Sequence, residues 1–245
     1  MMNSIRIRRL ISVFRTGCVC VLFHVAAHTA QAQTRAPALP DAQKQANPST
    51  FTVARMHYQG GGDWYWGGSA IPNLLDFISE NTSVPVNIEE VRVRPSEDKL
   101  FYFPFVFATG HGNIRFSDDE ITRMRRYLTG GGFWLINDSY GMDPSVRREL
   151  KRIFPDRELV ELPYSHEIYQ APYRFASGPP KIHEHDGKQP RGYAILDGDR
   201  VCVFYVVESD IGDGWEDPHV HEDPPDKRLA ALQMGTNIAI YALTH

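Results

Sequence analysis

Cysteine is nearly missing from this chain of 245 residues. There are three, and two of them, Cys18 and Cys20, lie in the first twenty residues. Beyond them only Cys202 remains, which excludes an intramolecular disulfide framework in the rest of the chain. Its place in the apolar run 201–207 suits a buried, inert thiol. Long hydrophobic runs are missing as well. The stretch 18–27 is short and broken by His24, and no later stretch is long and apolar enough for a transmembrane helix. A basic surplus is also missing: the formal charge is −4. Removing residues 1–32, which hold four arginines and no acid, takes it to −8. That balance speaks against a nucleic-acid partner. There is no internal repeat.

The N-terminus carries Arg6, Arg8, Arg9 and Arg15, then the apolar stretch, then Ala30-Gln31-Ala32. Basic, apolar, small-x-small is the layout of a secretory signal. The expectation is a signal peptide over 1–32, a disordered Ala/Gln/Pro-rich leader over 33–50, and one domain over 51–245, periplasmic or secreted.

The centre of that domain is GGGFWLINDSYG, residues 130–141. Four bulky apolar residues, Phe133 to Ile136, read as a strand buried on both faces. Asn137, Asp138, Ser139, Tyr140 and Gly141 follow, where an open α/β sheet binds its ligands. Strands are expected over 51–58, 86–93, 100–108 and 158–162. Helices fall between them. Ser117 and Glu120 form a capping-box pattern, and Asp143-Pro144 reads as cap and first helical residue. Asp197-Gly198-Asp199-Arg200 signals a hairpin between 193–196 and 201–207. A final helix spans 227–243, with Leu229 among its residues available for burial. The alternation predicts a mainly parallel α/β sheet with an added C-terminal hairpin.

Three glycine-rich or polar loops would then share one rim, bringing together Asp63, Trp64, Trp66, His111, Asn113, Asp138, Ser139 and Tyr140. Aromatic faces, carboxylates and an imidazole suit a small polar molecule. Two HxH pairs, His183/His185 and His219/His221, sit beside acids. On extended chain each pair would point to one side and could hold a transition metal such as zinc. The acidic loop 208–217 lacks EF-hand spacing and reads as a structured loop pinned by Trp215, with Asp210 capping or bonding backbone amides.

The blocks FATGHGN, SDDEITRMRRYL, GGGFWLINDSYG, RRELKRIFPD, SHEIY, GWEDP and RLAALQMGTNIAIYAL resemble a bacterial family of unknown function, the domain of unknown function numbered forty-one fifty-nine. That family is similar to the class I glutamine amidotransferases, which implies a flavodoxin-like domain. Ser139 stands where those enzymes carry a nucleophilic Cys, so amidotransferase chemistry is not expected. The leading expectation is a non-catalytic domain binding a small polar, sugar-like molecule or an envelope protein. The alternative is a hydrolase, using either Ser139 with His166 as base or a metal held by His183 and His185.

Overall fold

The computed structural model describes residues 49–245. The expectations for a signal peptide and a leader therefore lie outside the described residues, apart from Ser49 and Thr50. The strands are β1 Val53–Met56, β2 Val91–Val93, β3 Phe105–Ala108, β4 Phe133–Asn137, β5 Val160–Glu161, β6 Arg191–Asp197 and β7 Arg200–Val207. The helices are α1 Ala70–Asn81, α2 Asp118–Thr129, α3 Asp143–Ile153, a single turn α4 Pro218–His221, and α5 Pro225–Thr244.

One seven-stranded sheet runs β2-β1-β3-β4-β7-β6-β5. The five strands from β2 to β7 pair in parallel, while β6 and β5 are antiparallel additions. The fold is α/β with a mostly parallel sheet. The hairpin is not simply appended: β7 pairs with the central β4, Trp134 opposite Val203, and so completes the parallel set.

Strand β4 is buried at all five positions because both faces are covered. Phe133 and Leu135 join the core beneath α1 and α5, while Trp134 and Ile136 join the core beneath α2 and α3. Helix α2 starts as its sequence dictates. Ser117 Oγ accepts from Glu120 N–H, and the Glu120 carboxylate accepts from Ser117 N–H. Gly235 lets α5 come close to α1 and the 208–217 loop; a Cβ there would lie 2.6 Å from Leu74 Cδ1 and 2.8 Å from the Trp215 ring.

Some boundaries differ from expectation. Strand β3 begins only at Phe105, because Pro104 has no N–H for the ladder and Leu100 sits in a 3-10 turn, Asp98–Tyr102. Strand β2 is trimmed to three residues. Asp143 is the first residue of α3 rather than its cap. Leu229 is 45% exposed, on the outer side of α5.

Candidate metal centre

Four loops leave the carboxyl ends of the parallel strands β1, β3, β4 and β7. Each is tied down by a buried polar group. Arg55 on β1 is 1% exposed. Its Nη1 donates to Trp66 O (2.6 Å), its Nη2 to Gly67 O (2.7 Å), and its Nε to Glu90 Oε2 (2.8 Å). That fixes the loop after β1 and aims the Trp66 indole N–H at Asp213 Oδ1, 3.1 Å away. At the end of β4, fully buried Asn137 donates to Thr109 Oγ1 and to Asp210 Oδ1 (3.2 Å), and accepts from Gly212 N–H. One amide thus joins the β3, β4 and β7 loops.

Within this frame His183, Asp213 and His221 each offer a donor atom, all within 4.8 Å of one another. Asp213 Oδ2 lies 3.5 Å from His183 Nδ1 and 3.5 Å from His221 Nε2. The His221 Nε2 atom is buried and has no hydrogen-bond partner. A buried nitrogen without a hydrogen bond is costly, and an ion between it and the Asp213 carboxylate would satisfy both. Around the triangle, His183 Nε2 meets Asp223 Oδ2 at 3.1 Å. Asp210 Oδ2 faces both His183 Nδ1 (3.2 Å) and His185 Nε2 (3.1 Å). Hydrogen bonds to Asp210 and Asp213 push the His183 imidazole up to about 10, and the bond to Asp210 raises His185. Burial alone would raise Asp210, but its bonds from His183 and His185 hold it below the usual carboxylate range. Nearby Glu216 is raised, first by burial and then by Asp213.

The backbone is strained here. Among the described residues four non-glycine positions have positive φ: Tyr140 (140°), Glu208 (58°), Asp210 (63°) and Glu222 (56°). All four belong to the segments that build this corner. Such conformations cost of order 1–3 kcal/mol each and gather at functional sites.

The family model described as Domain of unknown function (DUF4159) matches residues 52–243. The chain belongs to this family. No curated protein matches it.

The DUF4159 domain brings some of the expected residues together and separates others. His183 and His185 lie at bends of an irregular loop, and both reach Asp210. His219 and His221 do not form a pair. They sit on the helical turn α4, where residues two apart face different directions; His221 points inward and His219 is exposed. Asp63 and His111 form a dyad: Asp63 Oδ2 meets His111 Nδ1 at 3.0 Å, and Oδ1 accepts the His111 backbone N–H. His111 packs edge-on against Trp66, whose ring also faces His221. Asp138 and Tyr140 lie on the same rim, Asp138 accepting from the N–H groups of Tyr140 and Met142.

Trp64 leaves the rim, stacking on His57 at 3.9 Å with Arg92 over its ring. Asn113 ties its loop to its neighbours, donating to Gly60 O in the loop after β1 and accepting from Arg148 on α3. Ser139 is buried, bonded to Thr109 Oγ1 and Asn137 Nδ2. His166 packs against Tyr241, whose hydroxyl accepts from Val201 N–H at the start of β7, the opposite end of the sheet. Ser139 and His166 are not brought together. Asp210, expected to cap or bond backbone amides, instead spends its carboxylate on Asn137 and two histidines. Asp213 and Glu216 were not singled out within the acidic loop, while Asp223 was expected only as one of the acids beside the histidines that could complete a site or orient a ring. Their only signal was the density of acids flanking the histidines.

Proposed function

We propose that this domain is a metal-dependent hydrolase, holding one divalent transition metal, zinc first, on His183, Asp213 and His221. The observation that carries the reading is the triangle of donor atoms with a buried nitrogen that makes no hydrogen bond at one corner. Donors bound at about 2.0–2.1 Å to a tetrahedral ion lie roughly 3.4 Å apart. The 3.5 Å separations to Asp213 match that spacing. Two histidines and a carboxylate form a hydrolytic zinc set, and three protein ligands leave one position for water, whose pKa such an ion lowers to about 7. Asp223, on the far nitrogen of His183, supplies the outer carboxylate that orients a metal-bound imidazole. Glu216 and the His111–Asp63 dyad are the proton-handling groups at hand.

The strand order supports a flavodoxin-like class: the parallel strands follow the 2-1-3-4-5 order when β7 is counted fifth. The layout of residues 1–32 supports export to the periplasm or cell exterior, where a small polar molecule is the substrate. A binding-only role is the second reading. It is favoured by the exposure of Tyr140 and Trp66 on the rim beside Asp63, His111 and Asp138.

Elemental analysis of the tag-free chain tests the proposal. The expected result is one zinc or other transition metal per chain, lost in a His183→Ala, His221→Ala double variant that retains its circular dichroism. A folded wild type that neither carries nor takes up metal when zinc is supplied would overturn it and leave the binding-only reading.

A further inference from the structure

Next to the metal ligands, across His185, lies a pocket of about 550 Å³. Ligand pockets usually fall in the range of about 300–1,000 Å³. Its inner end is formed by Asp138 and His185, and its walls by Arg147, Lys188 and Arg191, with Tyr140 at the mouth. Each wall cation is already paired. Arg147 Nε binds Asp143 at 2.8 Å, Lys188 Nζ binds Asp186 at 2.9 Å, and Arg191 Nη1 binds Glu161 at 2.9 Å. With the three cations matched by carboxylates, an anionic ligand would meet Asp138 and Glu208 in the lining, and a cationic ligand would meet the guanidinium and ammonium groups. A neutral ligand with several hydroxyls meets neither obstacle. It accepts from the N–H groups and donates to the carboxylates while the pairs stay intact.

Tyr140 adds an apolar surface to these polar walls. It is 52% exposed, its ring lies edge-on to His185 at 5.2 Å, and its hydroxyl is bonded to Asp186 Oδ1. Its backbone is held at φ 140°, a conformation suited to glycine, by the Asp138 carboxylate on its N–H. The chain therefore keeps a large ring at the mouth against a backbone penalty. An aromatic face, electron-rich at its centre, suits the weakly positive C–H face of a pyranose.

We infer that this pocket binds a neutral saccharide. Its role as substrate for the metal centre rests on the function proposed above; its binding does not. The inner end of the pocket, at His185, is one carboxylate away from the metal triangle, since Asp210 Oδ2 contacts both His185 and His183. A saccharide seated against Tyr140 would extend a hydroxyl or its substituent toward the open metal position.

Calorimetric titration with maltose, cellobiose and N,N′-diacetylchitobiose tests the inference, with glucuronate and glucosamine as charged controls. Each is run on the chelator-treated chain and on the chain given one equivalent of zinc. The expected result is saturable binding of at least one neutral disaccharide to both forms, weakened up to about tenfold in Tyr140→Gly. That variant relaxes its own backbone and so keeps the fold. Lack of binding by all three at millimolar concentration would overturn the inference, as would a preference for the charged sugars or indifference to Tyr140→Gly. Saccharide binding by a chain that takes no zinc would sink the metal reading and leave this one standing. Zinc uptake with no saccharide binding would do the reverse.

Discussion

Zinc uptake should release a proton, and the structure says from where. In the metal-free chain His183 sits among Asp210, Asp213 and Asp223, which raise it to about 10. Between pH 7 and 9 it is therefore an imidazolium, protonated on both nitrogens. A metal on Nδ1 must displace that proton, while the Nε2 proton stays with Asp223. One displaced proton makes the apparent affinity rise about tenfold per pH unit, or about a hundredfold from pH 7 to 9. The assay is zinc titration against a competing chelator at several pH values, with calorimetry in buffers of different ionisation enthalpy to count protons. Asp210→Asn removes the largest cause of the shift, so its affinity should vary less steeply. Stoichiometric binding with no proton release and a flat pH profile would refute the assignment of His183 as a ligand. The same raised group makes the metal-free chain pH-sensitive. Its stabilisation is complete below the unfolded value of about 6.5 and is lost as pH rises through about 10. His183 is 27% exposed, so after solvent screening that loss is about 1–2 kcal/mol.

Three further substitutions have distinct expected outcomes. Arg55→Met leaves Glu90 and two loop carbonyls without their cation and should cost about 3–5 kcal/mol in chemical denaturation; a loss below about 1 kcal/mol would mean the loop is held by other contacts. Gly110→Ala forces a Cβ to within 2.6 Å of Tyr58 Oη and 2.7 Å of Asp63 Oδ1 at φ 135°. About 2–4 kcal/mol should be lost, together with the His111–Asp63 contact, read as a shift of the His111 ring resonances in NMR. Ser139→Ala removes one hydroxyl of a buried pair and should cost about 1 kcal/mol while leaving zinc content and any hydrolysis intact; loss of hydrolysis alone would restore a serine nucleophile.

Local signals in the sequence were legible and distant ones were not. Strand β4, the capping box of α2 and the hairpin turn all depend on neighbours within a few residues, and the structure has them. The place of β7 beside β4 depends on pairing across roughly seventy residues, which no local pattern encodes. The rim was legible because loops gather at the carboxyl ends of the strands in such a sheet, yet Trp64 turned to His57 and Arg92, and Asn113 to Gly60 and Arg148. The histidines show the limit most clearly. His183 and His185 meet at Asp210 although their segment bends rather than extends, and His185 stands outside the donor triangle. The same spacing at His219 and His221 failed because Asp217-Pro218 opens a helical turn. The groups around His183 lie 27 to 40 residues away, at Asp210, Asp213, His221 and Asp223, and only the folded chain brings them near.

The last helix has a bearing on when the site exists. Its Lys227 Nζ donates to Ile182 O, and its Ala231 O accepts from the Trp215 indole. These two contacts clamp the segments that carry His183 and Asp213. During synthesis every proposed ligand therefore emerges before the element that seats it. A nascent or truncated chain would carry all three donors and no site, so loading of the proposed metal would be the last event of folding and a measure of its completion.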